Sequence, residues 1–225
     1  MAKLSILDFA PEKFQCAIFD LDGTLLNSTE VWAQIDIDFL GSRGIDIPKD
    51  FLETIKIHNF KSGSEYVVER FNLNEKPEDI AKEWYEMAVS EYANHIELKP
   101  NAKEFLHMLK DKGIKLAVAT SSDRSLYEPC LKRNGVYYLF DNFTQTDEVD
   151  RGKGFPDVYY KAAEKCNVEP ENCVVFEDIL RAVEAAAAGG FYTVAVADKS
   201  SEDDEEKIRE CCNLFIEDYL QIMKG

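Results

Sequence analysis

Two aspartates stand one residue apart in Asp20-Leu21-Asp22-Gly23-Thr24, directly after the apolar run 16–19. In an extended strand residues i and i+2 point the same way, so Asp20 and Asp22 can address one site. Three more polar groups stand at comparable places: Thr120-Ser121-Ser122-Asp123, Arg151-Gly152-Lys153-Gly154 and Glu177-Asp178. Paired carboxylates can hold a hard cation, carry a proton or attack an electrophile.

Each group also has a plain structural reading. Asp22-Gly23 can make a hairpin turn with Asp20 as a solvated strand end. Thr120 can simply end a strand, and Ser121 or Ser122 can cap a helix. Lys153 between glycines can be a solvated loop lysine. Glu177-Asp178 can charge the first turn of the next helix. A P-loop is excluded, because no Ser or Thr follows Lys153 and no glycine stands five residues before Gly152-Lys153.

The elements around these groups decide between the readings. Short apolar runs at 16–19, 115–120, 173–177 and 192–196 read as buried strands, with a further short strand at 142–146. Helical patterns cover 102–112, 125–134, 156–166 and 180–188; the acidic run 201–206 opens another, and 214–223 closes the chain. Strands alternating with helices of this length predict a parallel sheet covered on both faces. The carboxyl ends of such strands share one edge, where ligands of open α/β sheets bind. The four polar groups therefore converge although they lie far apart in the chain.

Between the first and second strands the pattern is helical throughout. Ser28 and Thr29 cap a helix over 30–42 that closes at Gly44, followed by helices at 48–57, 64–71 and 78–92. Trp84, Tyr85, Met87 and Tyr92 fall at helical spacing and read as core packing. The expectation is a discontinuous core, residues 1–28 and 97–225, interrupted by a helical insert at 29–96.

Composition narrows the partners. With 45% hydrophobic and 31% charged residues the 225-residue chain reads as a soluble globular protein. No run reaches the roughly 18 apolar residues of a membrane span, and the first residues carry no signal-peptide-like stretch, so the expected compartment is the cytoplasm. A formal net charge of −17 argues against nucleic acid or an anionic membrane as partner. It leaves room for a small phosphorylated molecule beside a local cation. The six cysteines form no CxxC pair and read as reduced core thiols, and with only three scattered histidines a histidine-based metal site or a Ser/Cys-His nucleophile is poorly supplied.

The order DxDGT, helical insert, Thr/Ser after the second strand, Lys before a helix and then Glu-Asp resembles the haloacid dehalogenase superfamily. Within it the chain looks like the β-phosphoglucomutase-like phosphatase branch, over nearly its whole length. That resemblance implies an α/β fold, a Rossmann-like parallel sheet with an inserted α-helical cap domain. It implies Asp20 as nucleophile, Asp22 as general acid/base, and Thr120, Ser121 and Lys153 as phosphoryl binders. Mg²⁺ would be held by Asp20, the backbone carbonyl of Asp22, and Asp178, with Glu177 assisting. Four carboxylates alone repel a phosphate, whereas one Mg²⁺ and Lys153 supply three positive charges.

The expected activity is Mg²⁺-dependent hydrolysis of a small sugar or polyol phosphate through an aspartyl-phosphate. A phosphomutase is the nearest rival, and a non-catalytic regulatory protein is a further alternative. Mutases of this branch carry a histidine twelve residues past the nucleophile, where this chain has Trp32. Gly154 stands where relatives commonly have proline, and Ala182 where they commonly have glycine. Substrate choice is expected to lie with the cap, where His58, Asn59, Lys61 and Ser62 form a polar break between helices. The sequence does not name an oligomeric state; a monomer is the default.

Overall fold

The computed structural model describes residues 10–55 and 60–223. The chain divides into two compact units, one formed by the described residues of Met1–Ser28 and Glu97–Gly225, the other by those of Thr29–Ile96.

The first unit is built on a six-stranded sheet of β1 (Cys16–Phe19), β2 (Lys115–Thr120), β3 (Asn142–Gln145), β4 (Cys173–Glu177), β5 (Tyr192–Val196) and β6 (Leu214–Ile216). Their order is β3-β2-β1-β4-β5-β6, and every pair is parallel. This is a Rossmann-like α/β fold. All four residues of β1 are buried, as an apolar run without alternation requires. Cys16 and Ile18 pack in one cluster with Val158, Tyr159, Ala162 and Cys166 of the helix Asp157–Cys166. Phe19 points to the opposite face, 6.3 Å from Phe105 of the helix Ala102–Asp111. In register with it across the sheet, Phe176 stacks on Phe19 with ring centroids 4.4 Å apart. Helices therefore cover both faces, and the strand order reverses between β1 and β4.

The segment that closes the chain holds more structure than its composition suggests. It divides into β6 and a four-residue helix, Leu220–Met223. Three residues are too few to display a period, and β6 exists because Val194, Ala195 and Val196 offer it a ladder. The helix after β2 runs from Arg124 to Arg133, and its cap is Asp123 rather than Ser121 or Ser122; the Asp123 carboxylate accepts the Ser125 N–H.

In the second unit, α1 (Thr29–Ser42), α2 (Phe51–Ile55), α3 (Phe60–Phe71) and α4 (Pro77–Asn94) are joined by aromatic packing. Trp84 lies 5.1 Å from Phe39 edge to face, and Tyr92 lies 6.1 Å from Trp32. Trp84 and Tyr92 are buried, while Tyr85 and Met87 are half-buried on the flank of α4. Arg43 follows α1, lies over the Phe39 ring and bonds both Glu75 and Glu83. Lys61 and Ser62 belong to the first turn of α3 rather than to a break between helices. There the Ser64 hydroxyl bonds back to the Lys61 carbonyl at 2.9 Å, and Gly63 is buried. His58 and Asn59 lie outside the described residues. Among the described residues no helix is long and apolar enough to cross a membrane.

Candidate active site

Past the end of β1, the Asp20 N–H continues the ladder to the Phe176 carbonyl of β4 at 3.0 Å. Asp20 is thus held at the point where the strand order reverses, the usual ligand crevice of an open parallel sheet. The chain then coils tightly, because the Leu21 carbonyl accepts the N–H groups of Thr24, Leu25 and Leu26 at 3.2, 2.9 and 2.7 Å. Gly23 sits at φ +83°, a conformation only glycine adopts without strain, and its N–H returns to the Leu26 carbonyl. The turn is not a hairpin, since both neighbours of β1 run parallel to it.

Glu177 ends β4 and Asp178 follows it, each 1% exposed. Ligand oxygens of Asp20, Glu177 and Asp178 all lie within 4.8 Å of one another. Lys153 reaches this group from the loop before the helix Asp157–Cys166. Its Nζ donates to Asp20 Oδ1 and, at 2.6 Å, to Glu177 Oε1. Pro156 caps that helix and presses against Gly189, where a Cβ would stand 2.7 Å from the Pro156 Cβ. The loop that carries Lys153 thus ends in a packed contact, and the ion pairs with Asp20 and Glu177 keep the Lys153 side chain from being solvated.

Three hydroxyls complete the arrangement, and the sequence did not single out any of their contacts. Thr24 donates to Asp178 Oδ1 at 2.9 Å, buried, and its own carbonyl accepts the Tyr219 hydroxyl at 3.1 Å. Tyr159 donates to Glu177 Oε1 at 2.7 Å, also buried. Ser28, read as a helix cap, donates instead to Asp22 Oδ1 at 2.6 Å. Thr24 and Ser28 belong to the motif region and could have been flagged as donors beside carboxylates; Tyr159 sits in an apolar helical stripe and gave no signal.

The other expected site residues take different positions. Asp22 is half-buried and its carboxylate is not part of the three-carboxylate group. Thr120 is buried at the end of β2, beside β1, where its hydroxyl accepts the Ser122 N–H at 3.0 Å. Ser121 is exposed at the same sheet edge. Contact therefore joins Asp20, Lys153, Glu177 and Asp178 into one cluster, while Asp22, Thr120 and Ser121 flank it.

The electrostatics follow from burial. Burial and the Glu177 charge hold the Asp20 carboxyl well above the usual carboxylate range, with Lys153 pulling the other way. Burial and Glu177 likewise push Asp178 up to about 8, against the Thr24 hydrogen bond. Burial opposes the charge on Lys153, yet Asp20 and Glu177 outweigh it and hold the ammonium above its ordinary value. Glu177 Oε2 and Asp178 Oδ2 are buried with no hydrogen-bond partner among the described residues. Buried, unsatisfied carboxylate oxygens are costly and call for a counter-charge. The donors are all oxygen, which fits a hard divalent cation.

Comparison with known proteins identifies the family. The family model for haloacid dehalogenase-like hydrolases matches residues 14–190. A "Phosphorylated carbohydrates phosphatase" of Thermotoga maritima is 30% identical over 180 residues, spanning 80% of this chain and 83% of that protein. "Hexitol phosphatase B" of Escherichia coli K12 is 24% identical, over 86% of this chain and 88% of its own. A crystal structure of a "putative beta-phosphoglucomutase" from Thermotoga maritima superposes with a TM-score of 0.83 at 26% identity, covering 93% of this chain and 97% of that one. The chain belongs to the haloacid dehalogenase-like hydrolases.

Proposed function

We propose that this enzyme is a Mg²⁺-dependent phosphoric monoester hydrolase acting on a small sugar or polyol phosphate through an aspartyl-phosphate on Asp20. The observation that carries the reading is Lys153 Nζ, which bonds Asp20 and Glu177 together within a buried carboxylate cluster at the sheet's ligand edge. The names of the curated relatives support a phosphorylated carbohydrate as substrate.

In this reading Asp20, at the end of β1, attacks phosphorus, and the bond to the leaving alkoxide breaks as the acyl phosphate forms. Asp22, oriented by the Ser28 hydroxyl, protonates the alkoxide. It then takes a proton from the water that attacks the same phosphorus, and phosphate departs with the Asp20 carboxylate restored. Lys153 binds a phosphoryl oxygen while holding Asp20 in line, and Thr120 and Ser121 supply hydroxyls at the same edge. Asp20, Asp178 and the Asp22 carbonyl, with Glu177 assisting, would hold Mg²⁺. Bound there, the cation supplies the positive charge that lets a phosphate enter an acidic site. The hydrolase reading is preferred to the mutase because this chain has Trp32 at the sequence position where mutases of this branch carry a histidine.

A phosphate-release screen over sugar, polyol and nucleotide monophosphates tests the reading. Release should require Mg²⁺, stop with EDTA and resume on adding Mg²⁺ back. Asp20→Asn should abolish turnover, and Asp22→Asn should lower kcat by roughly 10²–10⁴-fold. Metal-dependent hydrolysis surviving in Asp20→Asn would sink the nucleophile assignment, and isomer formation without free phosphate would favour the mutase.

A further inference from the structure

Tyr159 is wholly buried in the core between β1 and the helix Asp157–Cys166, with its ring 6.1 Å from that of Phe191. A phenylalanine would fill this space equally well, so a hydroxyl here costs desolvation unless it is used. It is used on one atom, Glu177 Oε1, which also accepts Lys153 Nζ. Asp178 shows the same division, since Oδ1 receives the buried Thr24 hydroxyl. On both residues the second oxygen is buried and has no hydrogen-bond partner among the described residues. Each adjoining carboxylate thus has one oxygen tied by a buried hydroxyl and one left over.

From this matched pair we propose that Tyr159 is a positioning residue for the divalent cation, fixing Glu177 through Oε1 so that Oε2 remains available as a donor. The proposal rests on the Mg²⁺ reading above. Tyr159 does not touch the reacting groups; it acts through Glu177. Losing its O–H frees the Glu177 side chain to turn about the one remaining partner, Lys153, and the prearranged donor set is lost. Outer partners of metal-binding carboxylates commonly matter at this level.

Calorimetric titration of the metal-free protein with MgCl₂ tests it. Tyr159→Phe should weaken Mg²⁺ binding by roughly 10–100-fold, while the melting temperature of the metal-free variant stays within a few degrees of wild type. In a Glu177→Gln background the same substitution should have no further effect on Mg²⁺ affinity. An affinity within twofold of wild type overturns the role of Tyr159 and leaves the Mg²⁺ reading intact, as does a variant that melts much lower yet binds Mg²⁺ normally. Additive losses in the double variant overturn the route through Glu177. A wild-type protein without saturable Mg²⁺ binding overturns both the proposal and the metal reading.

Discussion

Asp20, Glu177 and Asp178 crowd their ligand oxygens within 4.8 Å, and Lys153 is the one cation bonded to any of them among the described residues. Like charges this close cannot all ionise without help, so the metal-free site retains protons. Asp178, lifted to about 8 from an unfolded value near 3.8, gives the sign of the resulting pH dependence. Between those two values the folded state binds the proton that the unfolded state has released. The stabilisation is therefore complete below about 4 and lost as pH rises through about 8, and Asp20 acts in the same direction. If the cluster holds Mg²⁺ as proposed, the cation competes with these protons. The melting temperature of EDTA-treated protein should fall between pH 6 and pH 9, and the increment from added MgCl₂ should grow over the same range. An increment that shrinks as pH rises would mean that the carboxylates do not bind the cation.

Lys153, whose ammonium is tied to Asp20 and Glu177, is carried on a loop that ends at Pro156. Pro156 begins the helix Asp157–Cys166 and abuts Gly189, which follows the helix Leu180–Ala188. Gly189 has an ordinary negative φ, so glycine is needed there for close approach rather than for conformational freedom. Gly190 is the converse case, with φ +82° and nothing near its missing Cβ. Gly189→Ala should cost about 1–3 kcal/mol by overpacking. It should also lower kcat per folded molecule, because Pro156 can yield only by shifting the loop that carries Lys153. Gly190→Ala should cost about 1–2 kcal/mol, because an L side chain is strained in this left-handed conformation, with kcat unchanged. Urea unfolding and steady-state rates on both variants check the contrast. Equal kcat in the two would separate the Pro156 contact from Lys153 placement.

At the scale of the whole molecule, what could be read in advance followed from punctuation of the chain. Asp20, Glu177 and Asp178 each end an apolar run, and Lys153 precedes a helix opened by a proline. A parallel sheet was predictable from alternation, and its edge brings these residues together without further information. The contacts of Thr24 with Asp178 and of Tyr159 with Glu177 span 154 and 18 residues, and no local pattern encodes such a partner. Tyr159 lies on a buried face where any large apolar residue satisfies the helical period. β6 was hidden for a related reason, being a strand only where β5 supplies its ladder.

The net charge of −17 belongs to the same scale and is independent of the site's local cations. A surface so acidic repels a phosphate dianion at distances where Lys153 is not yet felt. Salt shortens the reach of that repulsion, the Debye length being about 30 Å at 0.01 M and 8 Å at 0.15 M. With Mg²⁺ held saturating, kcat/KM for a sugar phosphate should therefore rise a few-fold over this range, while kcat stays level because the closely paired groups of the site are screened much less. Initial rates at several NaCl concentrations decide the matter. A fall in kcat/KM with salt would show instead that the field at the mouth is positive, and that the cations of the site outweigh the acidic surface during encounter.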